Sequence, residues 1–530
     1  MLKEDVRHMF DEAAGWSLSS LKLIDTIQRL GLNYHFEDEI KGSLDTIMTT
    51  KDKSDVCHQE NDMYTRALRF RLLRQHGYEV SQDVFKNFKE EMMMRSSDLI
   101  AWTVRDVEGM LRLYEALFYA FEGEEILDEA QKFTTTHLKE QLIKANSIIS
   151  HNNPNLSKEV SHALELPLHW RVPRAEARWF IDTYKTMQDM DPSLLEFARL
   201  DFNMVQATYQ EDLKYVSRWW RELGLPEALG FARDRLVENF IWAVGFNFEP
   251  RFRNFRRQLT KVNSLVTTID DIYDVYGSLD ELKLFTDGVQ RWDINTMADL
   301  PDYMKICFLA LYDTTNEMAY HILRKHGVDS LPYLRKAWVD LCKAYMVEAN
   351  WYNNGYTPTL EEYMNNAWIS ISGPTAQTHA YFLLGDEITN KGLECLKNGP
   401  DLMRSSSMIF RLADDLGTST DELERGDVPK SIQCYMHHTG SSERIAREHI
   451  KNLINDNWKK MNMDQAAASC KFPRSFINTT QNIAQTAQWI YQYGDGYGVP
   501  DSETKDWIMS IVVEPIPFFQ REIGNLCLTL

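Results

Sequence analysis

The chain has 530 residues, with 58 lysines and arginines against 78 aspartates and glutamates, a formal net charge of −20. That balance excludes a general nucleic-acid binder, which needs a basic surface, but not a local cationic pocket for a phosphorylated ligand. No run of about 18 apolar residues occurs, so no membrane span is expected, and the length suffices for two or more cores.

The seven cysteines (Cys57, Cys307, Cys342, Cys395, Cys434, Cys470 and Cys527) stand singly, with no CxxC pair. Zinc sites and a disulfide framework are therefore not expected, and a reducing compartment is. The opening MLKEDVRHMF is charged and helical, unlike a signal peptide or an Arg/Ser-rich transit peptide.

Residues 1–190 read as amphipathic helices with polar joints. LKLIDTIQRLGLNYHFEDEIKGSLDTI, from Leu21, carries apolar residues at helical spacing, interrupted at Gly31. RALRFRLLRQHGY and VRDVEGMLRLYEALFYAFEGE continue the pattern, and HNNPN, Pro167 and Pro173 mark loops. No DxDD string and no cluster of His, Cys or carboxylates appears, so a supporting helical domain without chemistry is expected. MQDMDP, Met187 to Pro192, reads as the seam, and long helical patterns resume from Leu194.

Arg233, Asp234 and Arg235 follow in LGFARDRLVENFIWAVG. Two arginines around an aspartate suit ordinary surface charge, or an anion site in which guanidinium forks meet phosphate oxygens. Trp242 is placed on the same predicted helix, as a core aromatic or as an indole face for a cation.

LVTTIDDIYDVYG, Leu265 to Gly277, delivers Asp270, Asp271 and Asp274 at the end of a buried-looking face of Val262, Leu265, Val266 and Ile269. Asp270 and Asp274, four apart, share a helix face with Cβ atoms roughly 6 Å apart. Two such carboxylates repel, and a hard divalent cation such as Mg2+ relieves both the repulsion and the cost of burial. Asn263, Thr267 and Thr268 lie upstream on that helix, and Ser278 with Glu281 forms a capping box after it.

WISISGP, Trp368 to Pro374, breaks a helical run; Gly373 and Pro374 permit a kink that can turn carbonyl ends into a cavity. In RLADDLGTSTDELERGDVPKS, Asp414, Thr418 and Glu422 fall at i, i+4 and i+8, an oxygen face for a second hard-cation site. Arg411 precedes it by one turn and Lys430 follows it. YQYGDGYGVPDSE, from Tyr491, is Gly-rich without a preceding strand, which fits a lid carrying Asp495 and Tyr497 rather than a dinucleotide loop.

DDIYD, RDR and DDLGTSTDE resemble the metal and diphosphate motifs of plant class I terpene synthases. LPLHWRVPR, FARDRLVE, QRWDI, LPDYMKICFLALY, YTPTLEEYMNNAWISISGP and RGDVPKSIQCYM carry the likeness over nearly the whole chain. It is strongest to monoterpene synthases of mint-family plants. The resemblance implies an all-α fold: an N-terminal helical β domain, a glycosyl-hydrolase-like barrel, over residues 1–190, and a class I α domain over 191–530. It implies that Asp270 and Asp274 hold two Mg2+ and that Asp414, Thr418 and Glu422 hold a third, with Mn2+ as a substitute. Asp271 would support the first set, and Arg233, Arg235, Arg411 and Lys430 would grip diphosphate. Trp242, Tyr491 and Tyr497 would line a hydrocarbon pocket with Asn263, Thr267, Ile371 and Ala376.

The implied partner is a small prenyl diphosphate, for a monomer or homodimer in the plastid stroma, or alternatively the cytosol. The expected reaction is ionisation of geranyl diphosphate; farnesyl diphosphate and binding without turnover are the alternatives. Three features depart from the family pattern. The tandem-arginine motif belongs upstream of Met1, FFQREIGNLCLTL extends the C-terminus, and PTAQT at Pro374 to Thr378 has smaller residues than relatives carry. Asn263, Gln377 and Thr378 are candidates to hold a water.

Overall fold

In the computed structural model, residues 1–14, 17–49, 62–88, 103–143, 153–425, 428–468, 471–498 and 502–517 are described. Among them the regular structure is all helical, without a strand. The C-terminal tail from Phe518 lies outside the described residues.

The joints behave as their chemistry dictates. Gly31 ends the Ser17–Arg29 helix region at φ +73°, a left-handed backbone that suits glycine. Asn153 caps and Pro154 opens the Pro154–Glu165 helix, and Pro173 opens Pro173–Tyr184. Thr103 and Asp106 form a capping box on Val104–Leu117. The N-terminal helices close over Leu21, Ile24, Ile27, Leu44, Leu68 and Leu72. Beside this core a buried ionic group joins four helices: Arg29 donates to Glu176 (3.0 Å) and Glu159 (3.3 Å), and Arg112 to Glu159 (2.8 Å).

The Pro192–Leu223 helix starts on an Asp191 cap and serves both cores. It gives Leu194, Leu195, Ala198 and Phe202 to the N-terminal cluster and Val205, Tyr209, Val216 and Trp220 to the C-terminal one. Its buried Asp212 receives Arg256 (2.8 Å) and Arg257 (2.8 Å), which fixes the start of the Arg253–Asp271 helix. A second joint lies near Trp458. His169 Nε2 meets Asn462 Oδ1 at 2.8 Å, Asn462 Nδ2 donates to the carbonyls of Phe118 (2.9 Å) and Ala120 (3.0 Å), and Gln485 donates to the His169 carbonyl (2.6 Å).

Six helices surround the site: Leu236–Phe246, Arg253–Asp271, Leu331–Asn353, the broken pair Leu360–Ser370 and Gly373–Leu383, Asp401–Arg425, and Arg474–Ile490, the pair counting as one. The break falls where expected. Ser372 adopts φ +65°, and Pro374 has no N–H for the Ser370 carbonyl. Gly373 is required by packing, since a Cβ there would sit 2.4 Å from Ser407 Oγ.

Candidate active site

Two differences from the sequence reading concern the RDR and DDIYD stretches. Arg233, Asp234 and Arg235 precede the Leu236–Phe246 helix instead of lying on it with Trp242. The Arg253–Asp271 helix also does not run on regularly through Asp274. Residues Ile272–Tyr276 form a π turn, closed by the Gly277 N–H on the Ile272 carbonyl (2.8 Å). A π turn carries an extra residue, so the i, i+4 stacking of Asp270 and Asp274 is loosened, and such turns gather at functional sites. Both carboxylates still act on one another. The Asp274 carboxyl is held well above its usual range, first by the surrounding protein and then by Asp270. The residue is nonetheless exposed at the surface.

The two acidic motifs are built alike. Arg233 donates from Nε to Asp271 Oδ1 (2.7 Å), from its backbone N–H to Asp271 Oδ2 (2.7 Å), and from Nη2 to Asp270 Oδ2 (2.7 Å). Arg411 donates from Nε to Asp415 Oδ1 (2.8 Å) and from Nη2 to Asp414. In each motif the second aspartate is buried (Asp271 2 % exposed, Asp415 0 %) and anchors the arginine, while the first accepts its outer nitrogen. Asp415 also accepts from the Tyr363 hydroxyl (3.1 Å) and the Ser431 N–H (3.1 Å), which places Lys430 at the start of the Ser431–Thr439 helix.

The motifs face one space. Lys430 acts on both Asp274 and the buried Glu348, and Glu348 feels Arg411 and Asp270. On the other side, Tyr491 bonds the Asp414 carboxylate, and burial first and that carboxylate next push its phenol well above the usual range. Tyr497 meets Thr267 Oγ1 at 2.6 Å on the Asp270 helix. Between them lie rings: Trp242 is buried, 4.6 Å from Phe410 and 6.2 Å from Tyr491, centroid to centroid.

The Gly-rich loop packs down on this wall. Arg235 Nη2 donates to the Gly498 carbonyl (2.6 Å), and a Cβ on Gly417 would meet the Gly494 carbonyl at 2.9 Å, which explains the glycine inside DDLGTST. Asp495 is spent within the loop, accepting the Gly498 N–H (2.6 Å).

The family models agree with this geometry. The "Terpene synthase, N-terminal domain" model matches residues 1–164, and the "Terpene synthase family, metal binding domain" model matches residues 221–460. The chain is 56 % identical to the chloroplastic myrcene synthase of Quercus ilex, over 98 % of this chain and 84 % of that protein. It is 54 % identical to the (-)-alpha-terpineol synthase of Vitis vinifera, over 98 % and 86 %. The chain belongs to the terpene synthase family. Among solved structures, isoprene synthase from grey poplar leaves (Populus x canescens), in complex with three Mg2+ ions and dimethylallyl-S-thiolodiphosphate, superposes with TM-score 0.88. That match is at 45 % identity over 97 % of this chain and 96 % of that one. The fold and enzyme class expected from the sequence are those found: a terpene synthase, a lyase with a C-terminal metal-binding domain.

As a terpene synthase site, the cleft offers oxygen donors only: Asp270, Asp274 and Glu348 on one wall, Asp414 and Thr418 on the other. This set suits a hard divalent cation. Among the described residues no His, Cys, Asp or Glu trio forms a ready metal cage. The Thr418 hydroxyl donates to the Asp414 carbonyl (3.0 Å), which leaves its lone pairs for a ligand. Glu422 continues the helix, but its side chain lies outside the described residues.

Sequence reasoning missed Glu348, held by Ser370 (2.5 Å) and Asn366 (3.1 Å), and Asn239, held against Thr267. Glu348 lies in AYMVEANWY, where nothing marks it, and only the fold brings it beside Asp270. Ala376 is buried and Ile371 half-buried at the helix break. Gln377 Nε2 donates to the Met403 carbonyl (3.2 Å) and Ser407 Oγ (2.9 Å), while its buried Oε1 has no protein partner. Thr268 bonds its own helix, at the Ser264 carbonyl (3.0 Å). A separate surface cleft, lined by Tyr215, Gln258, His321 and Arg324 among others, contains none of these residues.

Proposed function

We propose that this terpene synthase acts on geranyl diphosphate in the plastid, ionising it and releasing ten-carbon terpene products. The observation that carries the reading is the pair of matching Arg–Asp–Asp clusters across one aromatic-walled space. The relatives named for myrcene and terpineol supply the chain length of the substrate, and the chloroplastic name of one supplies the compartment.

Asp270 and Asp274, with Glu348 beside them, would hold two divalent cations, and Asp414, Thr418 and Glu422 a third, Mg2+ or Mn2+. Bound there, such cations supply charge neutralisation of the leaving diphosphate. Arg233, Arg235, Arg411 and Lys430 stand around the same opening, where they can stabilise the negative charge that grows as the allylic C–O bond breaks and its electron pair leaves with diphosphate. The remaining carbocation meets the faces of Trp242, Phe410 and Tyr491, which attract positive charge without reacting with it. The loop from Tyr491 to Gly498, seated by Arg235, keeps out water that would quench the cation. Proton loss or capture of one water would end the reaction, and half-buried Asn263 would hold that water.

Gas chromatography of volatiles formed with geranyl and with farnesyl diphosphate tests the reading. Monoterpenes from the first, formed with Mg2+ and abolished by EDTA, are expected. Products from farnesyl diphosphate alone would overturn the substrate, and pyrophosphate release that EDTA leaves unchanged would overturn the metal assignment.

A further inference from the structure

Asn239 lies on the Leu236–Phe246 helix, one turn before Trp242, and is 4 % exposed. Both ends of its amide are used. Nδ2 donates to Thr267 Oγ1 (3.2 Å), and Oδ1 accepts from the Tyr497 hydroxyl (3.2 Å). Thr267 Oγ1 and the Tyr497 oxygen are 2.6 Å apart. The one Thr267 hydroxyl proton has two acceptors in reach, the Asn263 carbonyl at 3.1 Å and the nearer Tyr497 oxygen at 2.6 Å; given to the nearer, it leaves each of the three groups giving one proton and taking one. The result is a closed ring of hydrogen bonds in a buried setting, where such bonds reinforce one another.

The ring joins three separate parts of the site: the helix carrying Trp242, the helix carrying Asp270, and the C-terminal loop. In that arrangement the ring has a direction. The Tyr497 proton points at Asn239, so the phenol oxygen is left with a lone pair directed elsewhere. Burial raises the phenol pKa to about 12, so the group stays neutral and acts through its dipole. Arg233 and Asp270 act on the same phenol, which places it at the diphosphate end of the cleft.

We propose that Asn239 is a product-determining positioning residue: by holding the Tyr497 proton to the wall, it presents the phenol oxygen as the negative end of a fixed dipole to the carbocation. The carbon that carries the charge nearest that oxygen is favoured, and the product ratio follows. Without Asn239 the hydroxyl proton turns to Thr267 or into the cleft, and the selection weakens.

The test is the product ratio from geranyl diphosphate for Asn239→Ala, alone and combined with Tyr497→Phe. Asn239→Ala is expected to lower the ratio of the main product to the next most abundant one about fivefold, the population ratio that one net hydrogen bond sets. In the Tyr497→Phe background it is expected to change nothing further, because the hydroxyl it positions is gone. A helix that merely packs poorly would lower turnover without this dependence on Tyr497. Thr267→Val opens the same ring with little change in shape and carries the same comparison if Asn239→Ala does not fold. An unchanged ratio, or a shift that persists beside Tyr497→Phe, overturns the proposal. The inference rests on the function proposed above; wild-type chain that forms no terpene would remove that function instead, which keeps the two failures apart.

Discussion

Replacing Asp271 by Asn isolates the part of the first motif that positions rather than binds. Asp271 is 2 % exposed and accepts two hydrogen bonds from Arg233, at the backbone N–H and at Nε, both 2.7 Å. The amide keeps one acceptor and sets an NH2 group against a donor, so one charge-assisted bond is lost and the other loses its charge. A hydrogen bond to a charged group contributes about 1.5–3 kcal/mol. Because the Arg233 side chain is 40 % exposed, solvent screening puts the effect at the lower end. About 2 kcal/mol corresponds to roughly a thirtyfold fall in kcat/KM. The assay is steady-state kinetics with geranyl diphosphate at saturating Mg2+, with circular dichroism as the check on folding. A folded Asp271→Asn variant with wild-type kcat/KM would refute the view that this carboxylate sets the arginine.

Asp414→Ala is expected to abolish turnover while helical content stays intact; a rate near wild type would remove the second oxygen face from the metal assignment. Asn263→Ile is expected to lower the alcohol or ether share of the products, measured by gas chromatography, and an unchanged share would clear Asn263 of holding water. Acid is expected to loosen the joint at His169, whose pKa burial lowers from 6.5 to about 4. The folded state refuses a proton that the unfolded chain takes up near 6.5, so this contribution is full above pH 6.5. It is lost as pH falls toward 4, by roughly 3 kcal/mol at the end. Denaturant titrations at pH 7 and 5 would show the fall, and His169→Gln would make it shallower.

The architecture was legible because helices advertise themselves through local chemistry. HNNPN with Pro154, Ser278 with Glu281 and the WISISGP break all fall where capping and proline stereochemistry put them. The spacing of Asp414 and Thr418 was readable for the same reason, since a regular helix fixes which residues share a face. The first motif was read less well. Nothing in DDIYDVYG tells a π turn from an α turn, because both bury Ile272 and Tyr273, and the choice is made by contacts such as Tyr273 with Thr286 (2.7 Å) and the ring of Tyr345. RDR was placed on a helix because its neighbours are periodic, yet Arg233 gives its backbone N–H to Asp271 instead of to a helical carbonyl. Glu348 and Asn239 were invisible for a different reason. Each gains its meaning from a partner far along the chain, Ser370 for one and Tyr497 for the other.

The paired aspartates divide their labour, and that division bears on how the site responds to substrate. Every cation expected to grip diphosphate is already engaged. Arg233 sits on Asp270 and Asp271, Arg411 on Asp414 and Asp415, Arg235 holds the Gly498 carbonyl, and Lys430 offsets Asp274 and Glu348. A diphosphate arriving alone must compete with these carboxylates for each arginine. Divalent charge, if held by Asp270 and Asp414 as proposed, would remove that competition at the outer nitrogens only. Asp271 and Asp415, buried and bonded to Nε, keep each guanidinium anchored as its outer edge turns from carboxylate to phosphate. Charge neutralisation and arginine release would then be one event. The double aspartate follows from that requirement: one member to exchange partners at the cleft, and one to hold.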